Sequence, residues 1–407
     1  MVEPVHAERA ALLVLASTYP RWAGDPEPGF VHELCRRLAA AFDVVVVCPH
    51  APGAARRERL DGVDVVRYRY APLALQTLVH GGGMATHLRR ARWKWLLVPG
   101  FLLGQWWAAA RVARQRRPAL VHAHWLLPQG LVAWALHATG LVPGFALTSH
   151  GADLYGFRGA LALALKRRVV RNCSALSVVS PAMLAVLDAG GLRPPRLEVI
   201  PMGADLRGRF TPDPAVQREP GSLLFIGRLV EKKGLRHLLD ALPAVRREHP
   251  YARLRVVGFG PLEPEARAHV HALGLDGCVE FRGALAQADL PALLRSAALF
   301  VAPSVRAASG DQDGLPVVLM EALGCACPVL ASRIPGVDEL FGDDAAATLL
   351  PPGDSQALAR AICDVLAHPR QAEQRALRLR ERALQRVDWQ PVAEAYTEML
   401  RRSCRHA

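Results

Sequence analysis

The chain has 407 residues, 51% of them apolar, and no polar low-complexity tract, so it can bury sizeable cores, and two domains of about 200 residues are expected. Its net charge of +13 is carried by arginine, since Lys94, Lys166, Lys232 and Lys233 are the only lysines. No zinc-finger or aromatic-interleaved basic module accompanies that charge, which argues against nucleic acid and leaves a polyanionic substrate or an anionic membrane face as fitting partners.

The leading stretch MVEPVHAERAALLVLAS sets an acidic residue before a short apolar run and offers no cleavage site, so it reads as a first strand, not a signal peptide. Short apolar or β-branched runs then alternate with helical patterns: ALLVLAS (10–16), DVVVVCP (43–49), VDVVRY (63–68), ALVHAH (119–124), FALTSH (145–150), ALSVVS (175–180) and LEVIPM (197–202). Helices over 30–41 and 129–138 are among those that separate them, which predicts βα units and a parallel sheet. Residues 89–117, from Arg89 to Arg117, read RRARWKWLLVPGFLLGQWWAAARVARQRR. The uncharged span 95–110 is too short, and too broken by Pro99, Gly100 and Gly104, to cross a bilayer core that takes about 20 helical residues. Two readings stand: a segment lying in a membrane interface, with Trp93, Trp95, Trp106 and Trp107 at headgroup level, or a buried helix pair of the first domain.

Residues 201–221, rich in Pro, Gly and charge, break the pattern and mark a domain boundary. The alternation restarts with SLLFIG (222–227), ARLRVVG (252–258), CVEFRG (278–283), ALFVAP (298–303), CPVLAS (327–332) and ATLLPPG (347–353), and a helical tail follows from about Ser355. The expected division is 1–205, 206–385 and a terminal helix over 386–407. Two linked α/β domains leave a cleft at the carboxyl ends of their strands, where open sheets of this kind bind ligands. The eight cysteines form no CxxC pair and several sit in apolar runs, which predicts reduced, buried thiols in a cytosolic protein.

Three stretches carry chemistry. In FIGRLVEKKGLRHLL (225–239), Arg228 and Lys233 flank the turn into a helix expected from about Leu235; a planar guanidinium fork, an ammonium and helix N-terminal amides all favour an anion, although a solvated basic loop would read alike. In GDQDGLPVVLMEALGCACPVL (310–330), Glu321 is the only fully charged residue between 314 and 332, so its carboxylate demands a polar partner. Asp313 stands beside the predicted start of that helix, with Pro316 as its first residue. Either the pair serves a ligand bearing phosphate and hydroxyls, or Asp313 caps the helix and Glu321 meets an arginine. His150, at a predicted strand end, reads as a core histidine or a functional one. The turn at Gly258, GFGPLE, matches only part of a dinucleotide fingerprint and is read as a tight strand-to-helix turn. Asp311 and Asp313 form a D-x-D, but its setting before Gly-Leu-Pro and a buried glutamate argues against a metal.

GRLVEKKG (227–234) followed about eighty residues later by DGLPVVLME (313–321) resembles glycosyltransferase family 4, retaining and metal-independent enzymes of the GT-B fold. The similarity extends to STYPRWAGDPEPGFVHEL (17–34), HAHW (122–125), the HG-x-D at 150–153 and the linker PMGADLRGRF (201–210). The resemblance implies two Rossmann-like domains facing a cleft, with C-terminal helices packing back on the first, and no cofactor, a nucleotide diphosphate sugar being the donor substrate. Arg228 and Lys233 would grip the diphosphate, Glu321 would accept from the ribose hydroxyls, and Asp313 with the amides of Gly314 and Leu315 would hold the donor sugar. His150 would reach the sugar and the acceptor. Gly227, Gly258, Phe281, Arg282 and Gly283 would line the phosphate turn and the base pocket, largely through backbone. Asp313 stands where the family usually has Glu, and Met202 where it usually has Asn.

The expected activity is transfer of a hexose-type sugar from a UDP- or GDP-type donor to a glycan on a lipid carrier, in the cytoplasm or peripherally on the inner face of the cell membrane. A metal-dependent transferase using Asp311 and Asp313 would instead lose activity with a chelator, a non-catalytic binding module would bind donor without turnover, and an epimerase on the same fold would form product without acceptor.

Overall fold

The computed structural model describes residues 9–25, 29–79, 84–156, 159–308, 310, 312 and 314–405. It divides into two compact units, Met1–Ile200 with Ala393–Ala407, and Pro201–Val392. Residues 201–204 stay with the second unit because the Ala204 N–H donates to the Val387 carbonyl and the Trp389 N–H to the Ala204 carbonyl.

In the first unit, β1 (Ala11–Leu15), β2 (Asp43–Pro49), β3 (Arg57–Leu60), β4 (Val63–Tyr68), β5 (Leu120–His124), β6 (Phe145–Ser149), β7 (Ala175–Val178) and β8 (Leu197–Val199) form one sheet in the order 3-4-2-1-5-6-7-8. Every pairing is parallel except β3 with β4. Strands such as β2 and β5 are buried along nearly their whole length because helices cover both faces of a parallel sheet. The sequence pattern located every parallel strand of this sheet and missed β3. RERL alternates charge with little apolar content, yet the next two residues, Asp61 and Gly62, both have positive φ (45° and 84°), the two-residue turn that an Asp-Gly pair favours in a hairpin.

The 89–117 stretch folds as a 3₁₀ segment, Arg92–Leu97, and a helix, Val98–Arg116. Phe101, Gln105, Ala109 and Val112 bury one face of that helix, while Leu96, Leu103 and Trp107 stay exposed. It is thus a helix of the first unit with one packed face and one uncovered face, not the wholly buried helix pair of the second expectation. No helix among the described residues is long and apolar enough to cross a membrane.

In the second unit, β9 (Glu219–Ile226), β10 (Arg253–Val257), β11 (Val279–Gly283), β12 (Ala297–Ala302), β13 (Val329–Ser332) and β14 (Leu349–Leu350) form an all-parallel sheet in the order 11-10-9-12-13-14. Successive strands proceed outward from β9 to β11 and then resume on its other side at β12, so the topological switch falls between β9 and β12. Leu223, Phe225, Leu238, Leu242, Leu254 and Ile362 belong to its core. The helices Ser355–Ala367 and Pro369–Arg386 lie in this unit, and the last helix, Trp389–Arg405, ends in the first.

Candidate functional site

At the switch point of the second unit the chain leaves β9 through Gly227 and Arg228, makes a 3₁₀ turn at Glu231–Lys233 and enters the helix Leu235–Glu248. Gly234 caps that helix with φ 68°, and a Cβ there would stand 1.8 Å from the Pro303 carbonyl oxygen, so the turn after β9 is pressed against the loop after β12. The Ala308 N–H donates to Glu231 Oε1 at 2.8 Å and the Val305 N–H to the Lys232 carbonyl, tying the same two segments together. Arg228 is exposed and has no ion pair with any described residue. The Lys233 side chain lies along Gly227, with its Cδ 3.5 Å from where a Gly227 Cβ would be. Two cations and the amides of a helix start therefore share one turn, as the spacing predicted.

The turn after β10 abuts it. Gly258, at φ 128°, donates its N–H to the Gly283 carbonyl at 2.7 Å, and a Cβ at this position would lie 2.0 Å from the Gly227 carbonyl oxygen. Only glycine fits that contact, so Gly227, Gly258 and Gly283 are brought together at the carboxyl ends of three adjacent strands. Phe281 faces the helix Glu263–Ala272, where Arg267 stacks 4.4 Å from its ring centroid, and Arg282 is exposed beside Glu280. These two side chains belong to the edge strand.

Gly314 and Leu315, half-buried, precede the helix Val317–Gly324. Pro316 is its N-cap, with ψ 129°, and Val317 is the first helical residue, one position later than expected, because proline at the cap keeps the preceding chain extended. Asp313 and Asp311 lie outside the described residues. Glu321 is 4% exposed, and its polar partner is Gln287, whose Nε2 donates to Glu321 Oε1 at 3.0 Å. Gln287 in turn accepts from Arg209 at 3.0 Å. Burial pushes the Glu321 carboxyl up to about 7, with the Gln287 hydrogen bond and the Arg209 charge opposing. Neither Gln287 nor Arg209 was picked out from the sequence: they sit far from Glu321 along the chain, Gln287 being delivered by the loop after β11 and Arg209 by the segment before β9. The alternative of a glutamate paired directly with an arginine gives way to a glutamine between the two.

His150 is in the first unit, one residue past β6. Its Nε2 shares a 2.9 Å hydrogen bond with His124 Nδ1, and the rings of Phe30, Trp125 and His124 surround it at 4.9 to 5.1 Å. Burial, with the His122 charge second, pushes His150 down to about 3, so it is a neutral imidazole at neutral pH and can serve a hydroxyl as a hydrogen-bond partner. Its Nδ1 has no partner among the described residues. His122 is bonded through Nε2 to Thr148 Oγ1 at 2.8 Å. Asp153 of the HG-x-D pattern accepts from the Leu126 N–H and the Ser149 hydroxyl at 2.6 and 2.8 Å, locking the loops after β5 and β6 together.

Away from these turns, ligand atoms of Glu248, His249 and Cys363 lie within 4.8 Å of one another. They lie where the helix Leu235–Glu248 ends, at the opposite end of the strands from the turn where that helix begins.

The model described as glycosyltransferase family 4 matches residues 30–207, and that described as glycosyl transferases group 1 matches residues 220–368. A glycogen synthase of Mycobacterium tuberculosis (strain ATCC 25618 / H37Rv) is 30% identical over 390 residues, 91% of this chain and 89% of that protein. A protein of Escherichia coli (strain K12) that bears the name of a colanic acid biosynthesis glycosyltransferase, WcaL, is 30% identical over 238 residues, 58% of this chain and 58% of its own length, so the match spans little more than half of that relative. The structure of sucrose-phosphate synthase from Thermosynechococcus elongatus aligns with 98% of this chain and 100% of its own, at TM-score 0.79 and 23% identity, a likeness of fold. With both halves matched by family models and a relative aligned over nearly its whole length, the chain belongs to glycosyltransferase family 4 and carries the two parallel-sheet α/β units of the GT-B fold.

Proposed function

We propose that the protein transfers a hexose from a nucleotide diphosphate sugar to a lipid-linked glycan during polysaccharide assembly, with retention and without a metal cofactor. One observation carries the donor half of this reading: the Gly227–Arg228–Lys233 turn, the Gly258 turn and the end of β11 converge beside the β9/β12 switch, with buried Glu321 on the helix that follows β12. Arg228 and Lys233 would take the diphosphate and stabilise the charge that develops as it departs. Glu321 would exchange Gln287 for ribose hydroxyls, Gly314 and Leu315 would offer amides to the sugar, and His150 would accept or donate a hydrogen bond at a hydroxyl. With no protein nucleophile in this scheme, rate comes from positioning and electrostatic support of the leaving group.

A thermal-shift panel of nucleoside diphosphates and their sugars tests it, the tightest ligand raising the melting temperature most. Arg228→Ala removes a charge-assisted contact of about 3 kcal/mol, on the order of a hundredfold in affinity, and abolishes the shift at ligand concentrations that saturate the wild type. An undiminished shift in the variant takes Arg228 out of the site. Turnover that persists in chelator, with the product anomer read by NMR, checks metal independence and retention together.

A further inference from the structure

The helix Val98–Arg116 has two apolar stripes. The inner one packs on the sheet; the outer one, Leu103 and Trp107 one turn apart, is 67% and 68% exposed, and Leu96 of the preceding 3₁₀ turn is 81% exposed. Trp93 and Trp95 of the preceding turn are exposed as well. Between this helix and the β3–β4 hairpin lies a cleft of about 870 Å³, with Leu103, Trp106 and Trp107 in one wall and Tyr68 and Tyr70 from the end of β4 in the other.

Arg56, Arg57, Arg69 and Arg111 also line the cleft, and no carboxylate does. The acids nearby are already engaged, Glu58 with Arg67 and Asp64 with Arg116, while the four cleft arginines have no ion pair among the described residues. A cation cluster left uncompensated beside a row of exposed indoles and leucines costs mutual repulsion on one side and apolar exposure on the other. An anionic lipid surface relieves both, with phosphates on the guanidinium groups and acyl chains on the stripe. A soluble anion would satisfy the arginines and leave Leu96, Leu103 and Trp107 in water.

We infer that this cleft and stripe form the docking surface of the first unit for an anionic phospholipid bilayer, with lipid phosphate seated among Arg56, Arg57, Arg69 and Arg111. The inference deepens the lipid-linked acceptor reading above and rests on it for its purpose: it fixes the enzyme at the surface where such an acceptor resides.

The test is co-sedimentation of the full chain with vesicles of phosphatidylcholine alone and of phosphatidylcholine mixed with phosphatidylglycerol. Binding is expected only to the mixed vesicles and weakens as salt rises. The triple variant Arg56→Gln/Arg57→Gln/Arg111→Gln lowers partitioning by on the order of a hundredfold. Leu103→Ser/Trp107→Ser lowers it too, with melting temperature and nucleotide-induced shift unchanged, since both side chains point into water. Equal binding to both vesicles, a variant that binds like wild type, or a concentration-dependent dimer dissolved by Leu103→Ser/Trp107→Ser would each overturn the inference, as would inorganic diphosphate binding at the arginines without any vesicle binding. Lost vesicle binding with the nucleotide shift intact removes the docking surface alone; absence of any nucleotide shift removes the transferase reading beneath it.

Discussion

Two buried titratable groups make opposite demands on pH. Glu321 is held at about 7 in the fold against 4.5 when free, so the folded chain keeps a proton that the unfolded chain has released. Stability therefore falls as pH rises from about 4.5 to about 7, by about 3 kcal/mol, and is flat above. Glu321→Gln should flatten that limb of the melting temperature against pH. Donor binding runs the other way: ribose hydroxyls prefer the ionised carboxyl, so the affinity for a nucleotide sugar, whose diphosphate diester has constant charge, should rise through pH 7 in the wild type and not in Glu321→Gln. Calorimetry showing the same pH profile for both proteins would separate Glu321 from the ribose. His122 is fully buried and sits at about 3 against 6.5 when free. The unfolded chain then binds a proton that the fold refuses, and stability falls as pH drops from 6.5 towards 3, by on the order of 5 kcal/mol. His122→Gln should shallow this acid limb; an unaltered acid limb would mean that the other buried histidines dominate it.

At the scale of elements, the site depends on how closely consecutive strand ends approach. The carbonyl of Gly227 lies where a side chain at Gly258 would begin, and the Gly258 N–H is bonded to Gly283, so three βα turns are laid edge to edge. Gly258→Ala should cost more than about 3 kcal/mol, seen as a fall in urea midpoint at unchanged slope, because both the φ of 128° and the 2.0 Å contact are refused. A loss below about 1 kcal/mol would show that the turn relaxes freely. The helix Val317–Gly324 poses a different problem. Its apolar pattern and its lone glutamate were legible along the chain, whereas the loop after β11 that brings Gln287 to that glutamate was not. The missed β3 belongs here too: an exposed edge strand carries charge on both faces, so periodicity is silent and only the Asp61-Gly62 turn betrays it.

At the scale of the molecule, each unit has its own sheet and its own core, so a ligand held by one should stiffen that one. Donor nucleotide should slow amide exchange in 227–234, 258–262 and the first turn of the helix Val317–Gly324, and leave β2 and the helix Val98–Arg116 unchanged. Protection confined to the first unit would contradict the assignment of the donor to the second. Taken by itself, the chain determined what depends on near neighbours in sequence: parallel strands declare themselves as continuous apolar runs, a glycine-flanked basic turn marks the start of a helix, and a single carboxylate in an apolar helix announces an unmet demand. Only the tertiary structure decided which groups meet that demand, that the His124–His150 hydrogen bond and Asp153 tie the ends of β5 and β6 together, and that the Trp-rich helix buries one apolar face and leaves the other bare. The reason is physical: hydrogen bonds and charges act over a few ångströms of space, and residues separated by 26 to 78 positions reach that distance only once the strands have chosen their order.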